Sequence, residues 1–461
     1  MISNIKLENI FVIFAIMFGF LYCFILPPFQ SVDEGNHFYR TFQITEGKLI
    51  AKNIGGKIGD VLPKSLSAFH SSYFYLIKNV HEKSSIKNFQ NDFRRKLAPE
   101  KVQYTEFANT ALYSPVCYLT QVPAVFLTKN LDCSLGVIYY AGRICNLLFY
   151  CLLVYYSIRI IPFYKLPLLV VALFPMSLSL ASSYSSDIMV MGLNFLWVAV
   201  ILKLMSKKDF RSNNVTKYKI LLFILAVLLA FTKSYILLLP LIFLLPTTIF
   251  KTKANWIVYI TSTVIIAILA LILWSIWIKD LSFAMNEVAD TYRQIEFIKN
   301  NPLEYILVLV KTFIVKTPRI LITMIGVLGW QDTRLDWLIY IAYPLMLYFA
   351  IMSDKTSFIL QKWQKMAIIG MLLLGTLIIY TSLYLMWSSV GNPIIIGLNG
   401  KYFIPMVLPF LLLFKRNEAK YDYDAIKNIT IILIFAFLFS TELSLLHRFY
   451  NLTPNLYYQV F

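Results

Sequence analysis

The chain has 461 residues, of which 59% are hydrophobic and only 14% charged, and its mean hydropathy is +0.67. Such values exclude an ordinary soluble domain. The net charge of +18 does not argue for nucleic acid, because much of it lies in short segments between apolar runs, where Lys and Arg set membrane topology and meet anionic headgroups.

Apolar runs of about 17–25 residues are read as transmembrane helices. The first, Ile10 to Leu26, ends in Pro27-Pro28 rather than at a small-residue cleavage site, and is read as a retained helix. Further spans are expected near residues 135–158, 166–181, 188–204, 218–232, 235–250, 256–278, 335–353, 366–387, 402–414 and 428–446. The segment from Lys203 to Lys219 carries six Lys or Arg and one acid, which makes it the strongest cytoplasmic marker. Placing the other short basic loops on the same side gives about eleven helices, with the N-terminus inside and the C-terminus outside. Two apolar stretches fit this path poorly. Ala111 to Lys129 is broken by Pro115 and Pro123, and Leu303 to Leu328 is interrupted by Lys311, Lys316, Pro318 and Arg319. Both are expected as interfacial or re-entrant helices on the outer face. The chain is therefore expected to be one all-α polytopic membrane domain over 1–461, with a long outer loop at 28–134 and a second outer segment at 279–334. The five cysteines have no metal-ligand spacing, and a Cys117–Cys133 disulfide does not follow from the sequence.

This threading puts the unusual polar segments on one side: Ser31–Arg40, Ser182–Asp187, Lys233, Asn286–Asp290, Gly329–Arg334 and Gly397–Phe403. A site assembled from several outer loops follows, and each loop also has a structural reading. Ser31 and Glu34 match a capping box. Asp33, His37 and Arg40 are spaced to share a helix face, which a cap does not require. Asp187 is placed to cap a helix, Lys233 to snorkel, and Asp332 to pair with Arg334. Lys401 follows Gly400, where exposed backbone amides and a cation suit an anion.

The segments PPFQSVDEGNHFYR, ALYSPVCYLTQVPA, LFPMSLSLASSYSSD, TKSYILLLP, IGVLGWQDT and GLNGKYFIP occur in the order found in the bacterial membrane family named domain of unknown function 2142, and the sequence resembles that family over nearly its whole length. The family in turn looks like the type-C glycosyltransferases (GT-C), multispanning enzymes that take a sugar from a polyprenyl-phosphate carrier. In those enzymes an acidic residue just after helix one is essential, and Asp33 or Glu34 holds that place here. Where the family usually reads Gly-Arg-Tyr, this chain has Gly400-Lys401-Tyr402, which keeps the charge but loses the bidentate fork.

The resemblance implies transfer of a sugar from a polyprenyl phosphate to a cell-surface glycan or glycolipid acceptor, at the outer face of a bacterial cytoplasmic membrane. The acceptor hydroxyl must lose a proton as it attacks, and the leaving phosphate needs positive charge. Asp33 is the expected base, with Glu34 as helper or cap and His37 as orienter. Arg40, Arg334 and Lys401 are expected phosphate ligands, Tyr402 is expected to position the donor, and Asp187, Lys233 and Asp332 are further outer-face polar groups. No cofactor is required. A divalent metal is conceivable if Asp33, Glu34 and Asp187 converge, but no spacing demands it. The competing readings are a transporter or flippase of lipid-linked saccharides and a polysaccharide polymerase or ligase.

Overall fold

The computed structural model describes residues 5–206, 213–232, 236–281, 289–355, 358–414 and 418–450. Helix α1 (Leu7–Ile25) is followed by α2 (Glu34–Thr45) and by a lobe of short elements. The lobe contains β1 (Lys52–Ile54), β2 (Lys57–Pro63), α3 (Lys64–Ser71), α4 (Ile86–Asp92), β3 (Val102–Glu106), α5 (Ala108–Ala111) and α6 (Val122–Asn130). The bundle continues with α7 (Leu135–Ile160), α8 (Lys165–Ala172), α9 (Pro175–Ala181), α10 (Asp187–Met205) and α11 (Asn213–Ala230). A 3-10 stretch over Ile236–Leu244 then leads to α12 (Lys253–Trp277) and α13 (Thr291–Asn300). Helix α14 (Pro302–Gly326) ends in the hairpin β4 (Val327–Leu328) and β5 (Thr333–Arg334). The remaining helices are α15 (Trp337–Ser353), α16 (Lys362–Trp387), α17 (Ile404–Leu412) and α18 (Tyr423–Phe449).

Among the described residues, six helices are long and apolar enough to cross a membrane: α1, α7, α10, α12, α16 and α18. The protein is thus a helical membrane protein. Burial separates the six by position. Within its most apolar window α10 is 94% buried, whereas α12 and α16 are 22% buried. A helix that is hydrophobic all round belongs at the centre of a large assembly, and helices with broad apolar exposure belong at its lipid-facing edge.

Several expected spans take a different local form. The run 166–181 breaks at Phe174-Pro175 into α8 and α9, because proline has no N–H for the helical ladder. Hydroxyls take up carbonyls around the break: Tyr150 donates to Ala172 at 2.8 Å, Tyr343 to Leu173 at 3.1 Å and Ser177 to Val171 at 3.0 Å. That is how backbone freed inside an apolar bundle is tolerated. The 303–328 segment, expected as an interfacial or re-entrant helix, forms one continuous helix to Gly326 with Pro318 inside it. Its partners lie in the last turns of α16 and the following connection. Tyr305 bonds Thr381, Thr312 accepts from the Ile395 amide, and Thr323 accepts from the Gly400 amide. The opposite stripe leaves Leu303, Leu307, Val310, Ile314 and Leu321 exposed.

The three-stranded antiparallel sheet of the first lobe, β1-β2-β3, was not expected of an all-α chain. Gly59 of β2 faces Glu106, and an added Cβ there would lie 1.9 Å from the Thr105 carbonyl oxygen, so only glycine permits this pairing.

Candidate functional site

The chain leaves α1 at Leu26-Pro27-Pro28 and turns into α2. The turn is held from α7 by Arg143, which donates to the carbonyls of Cys23 (2.8 Å), Leu26 (2.6 Å) and Pro27 (3.1 Å). These are carbonyls that the end of α1 leaves without helical partners. The same guanidinium forks onto Glu34, with Nε to Oε1 and Nη2 to Oε2 both at 2.8 Å. Both side chains are fully buried. Glu34 also accepts from the Tyr184 amide at 2.9 Å and from the Ser31 amide at 3.4 Å. The Glu34 oxygens thus join α1, α2, α7 and the 182–187 segment. Only half of the expected capping box exists. Ser31 does not cap α2, and the N-cap position belongs to Asp33.

Asp33 itself is in the left-handed region, with φ 64° and ψ 5°, and its side chain does not cap the helix. An aspartate tolerates that conformation better than most residues. Its Oδ1 accepts from Asn109 Nδ2 at 2.9 Å, and Asn109 Oδ1 accepts from Asn36 at 2.5 Å. The carboxylate is half-buried and held by a two-asparagine relay that returns to Asn36 of α2. The expected triad does not assemble, because each member has its own neighbours. His37 bonds Tyr118 at 2.9 Å and stacks on Tyr113, with centroids 6.0 Å apart. Arg40 is fully buried and donates to Gln43 and to the carbonyls of Leu49 (2.7 Å) and Tyr113 (3.1 Å). It is a structural tie inside the lobe and not a phosphate ligand; burial holds its pKa below the ordinary arginine value.

The polar segments do converge, but most are buried rather than displayed. In the 182–187 run, Ser182 donates to Gly19 O at 2.8 Å, and Gln121 and Asn146 take the carbonyls of Ser185 and Ser183 at 2.7 and 2.8 Å. Asp187 does not cap α10. It is the first helical residue after Ser186, and its Oδ2 lies 2.9 Å from Lys401 Nζ, with both side chains nearly buried. Lys401 also lies over the Tyr402 ring at 5.7 Å. Asp332 does not pair with Arg334. It accepts from Arg448 of α18 at 2.7 and 3.2 Å, while Arg334 is exposed. Lys233 and 286–288 lie outside the described residues; Asp290 caps α13 through the Arg293 amide at 3.0 Å.

Between these segments lies a narrow cleft. Ser31, Val32, Ser179, Leu180, Gly329, Gln331, Asn399 and Lys401 are among its lining residues. It encloses about 20 Å³, room for a single water, so a sugar enters only if a wall moves. Asp33 directly follows Val32 in the chain. Tyr113 links the two sides electrostatically: burial raises its phenol pKa most, Asp187 and Asp33 add to the rise, and Lys401 opposes it. Asp33 and Lys401 thus act on the same phenol with opposite sign. Among the described residues, no group of three or more His, Cys, Asp or Glu is placed to hold a metal ion. Glu34, bound to Arg143, is not free to join Asp33 and Asp187 in such a group.

The profile of the family described as Predicted membrane protein (DUF2142) matches residues 16–410. The chain belongs to this family. The DUF2142 match begins within α1 and ends within α17, so it takes in every segment lining the cleft. It leaves out α18, which supplies Arg448. No curated protein and no solved structure matches this DUF2142 chain. Sequence reasoning missed Asn36, Asn109, Tyr113 and Tyr118, which hold or surround Asp33 and His37. No local signal marks an asparagine as the partner of a carboxylate 76 residues away.

Proposed function

We propose that this protein is a membrane glycosyltransferase of GT-C type that moves a sugar from a polyprenyl-phosphate donor to a glycan or glycolipid acceptor. The observation that carries this reading is the half-buried Asp33 carboxylate, held by Asn109 and next in the chain to Val32, which lines a cleft together with Lys401. Asp33 takes the proton of the acceptor hydroxyl. Lys401 exchanges Asp187 for the donor phosphate, stabilising the charge that develops on the leaving group. Tyr402 and Tyr113 flank the donor, and Arg334 is close enough in the chain to contribute from the open side. Short basic loops support a bacterial cytoplasmic membrane, eleven spans with the N-terminus inside, and a cleft facing out.

The broken helix α8–α9 favours transport of lipid-linked saccharides as the second reading, since discontinuous helices recur around transporter sites. The Asp33→Asn variant separates the two. Asparagine tolerates the left-handed backbone, so the fold should persist. Transfer of sugar to acceptor by purified protein should fall about 10²–10⁴-fold, the usual worth of a positioned base. Unchanged transfer would remove Asp33 from catalysis, and loss of lipid-linked sugar translocation instead would favour transport.

A further inference from the structure

Helix α18 carries an acid deep in its apolar sequence. Glu442 is only 3% exposed, and among the described residues neither of its carboxylate oxygens has a hydrogen-bond partner. The helix runs beside α1, where the Phe435 ring meets Phe14 and Phe18 edge-on, with centroids 6.0 and 5.5 Å apart. One turn beyond Phe18 and two beyond Phe435, the same faces carry Tyr22 and Glu442, which lie within electrostatic reach of each other. Tyr22 is fully buried and its hydroxyl is also without a partner. Thr441 beside it donates to Phe437 O at 2.7 Å, so its proton is already used. Of the other titratable groups on the elements packed against α18, Cys23 and Tyr343 lie at this level. Glu8, Lys165, Asp424 and Lys427 lie near the starts of α1, α8 and α18, several turns away. Arg334 and Tyr348 are exposed, Tyr340 donates to Gly326 O, His447 is half-buried in the last turn, and Arg448 is bound to Asp332. Arg143 donates to the Cys23 carbonyl, but it is forked onto Glu34.

An unpaired carboxylate in such surroundings is far costlier than the neutral acid, which can donate one hydrogen bond and accept others. We propose that Glu442 and Tyr22 form a proton-binding site inside the membrane bundle, in which Glu442 holds one proton and shares it with the Tyr22 hydroxyl, directly or through one water. Releasing the proton to solvent leaves a bare carboxylate, so release requires water, and water reaches Glu442 only where α1 and α18 part. Proton release and opening of this interface are thereby one event, as suits an ionisable group kept within a membrane. The polar run continues from Tyr22 to Tyr343, which donates to Leu173 O at the α8–α9 break. Beyond that break, α9 supplies Met176, Ser179 and Leu180 to the cleft. The site is therefore connected to the cleft without taking part in the Asp33 chemistry.

The test treats full-length wild type in detergent with dicyclohexylcarbodiimide, an apolar reagent that reacts with protonated carboxyl groups, and in parallel with a water-soluble carbodiimide. The carboxyl O–H adds across one N=C bond, and the O-acylisourea rearranges to a stable N-acylurea with nothing lost. Peptide mass spectrometry should find this adduct on Glu442 with the apolar reagent at neutral pH, in a yield that falls as pH rises, and little or none with the soluble reagent. Infrared spectra of wild type minus Glu442→Gln should show the C=O band of a protonated carboxyl. In Tyr22→Phe, which removes only the hydroxyl, that band should move to higher frequency. Glu442→Gln imitates the neutral acid and should melt at the wild-type temperature at neutral pH. If it does not fold, labelling of wild type and the band shift in Tyr22→Phe still decide. No adduct at neutral pH, equal labelling by both reagents, or no protonated-carboxyl band would overturn the proton site. A band unmoved in Tyr22→Phe would overturn the pairing with Tyr22.

Discussion

At the scale of single residues, burial and partners decide what each charged group does. Glu34 and Asp33 are adjacent, yet one is fully buried against Arg143 and the other is half-buried and held by Asn109. Replacing Glu34 by Ala strands a buried guanidinium, and should cost about 3–5 kcal/mol of stability, read by thermal unfolding in micelles. Asn109→Ala should leave the fold intact but free the Asp33 carboxylate, lowering kcat about tenfold with little change in KM. An equal loss in a background already carrying Asp33→Asn would show that Asn109 acts elsewhere. Asp92 gives a pH prediction. Its carboxyl accepts from Tyr73 at 2.5 Å and is almost fully buried; burial raises its pKa from 3.8 to about 6, against the opposing effects of Tyr73 and Arg95. A raised folded pKa means that its contribution is fully present below pH 3.8 and is lost as pH rises through about 6. Wild type should therefore lose stability relative to Asp92→Asn between pH 4 and pH 7, by at most about 3 kcal/mol. A constant difference across that range would show that Asp92 has its ordinary pKa when folded.

At the scale of elements, α14 and the 397–403 turn form a unit. Gly400 packs so closely on α14 that an added Cβ would lie 2.1 Å from Ile320 O and 2.2 Å from Met324 N. Both contacts are backbone, so neither can swing away. Gly400→Ala should push the turn off α14 and with it Lys401, which follows directly. We expect at least about tenfold weaker donor binding, together with a lower melting temperature. Gly397→Ala, where φ is +84°, tests backbone strain in the same turn without contact with α14. If both variants lose donor binding equally, close packing on α14 is not the cause. The hairpin β4–β5 closes the other side of the cleft, and its turn needs positive φ at Gly329 and at Gln331.

At the scale of the whole molecule, the lobe between α1 and α7 is fastened to the far end of the chain. Arg448 of α18 donates to Asp332 in the hairpin turn and to the carbonyls of Leu76 and Glu82 in the lobe. Lys83 returns the link by donating to His447 O and Arg448 O at 3.0 and 2.9 Å. Three parts distant in sequence are thus joined through one nearly buried guanidinium. Arg448→Met should cost about 3–5 kcal/mol, and adding Asp332→Asn should restore part of it, because the uncompensated carboxylate is then removed. A fully additive double variant would show that the pair is not coupled.

The sequence by itself determined that the chain is a helical membrane protein, because runs of that length and hydropathy have no other stable home. It also located the helices closely: α1, α7, α10, α12, α16 and α18 all overlap runs read from hydropathy alone. It marked Ser31–Arg40, Gly329–Arg334 and Gly397–Phe403 as places of interest, since polar groups at membrane boundaries are exceptional there. What only the tertiary structure decided is which polar residue meets which. Glu34 finds Arg143 across 109 residues, Asp33 finds Asn109, Asp187 finds Lys401, and Asp332 finds Arg448 instead of its neighbour Arg334. Hydropathy reports the solvent that each segment prefers, and local spacing reports the face that it shares. Neither carries the long-range packing that brings two charges into one buried space, and that packing separates the structural acids from the one left at the cleft.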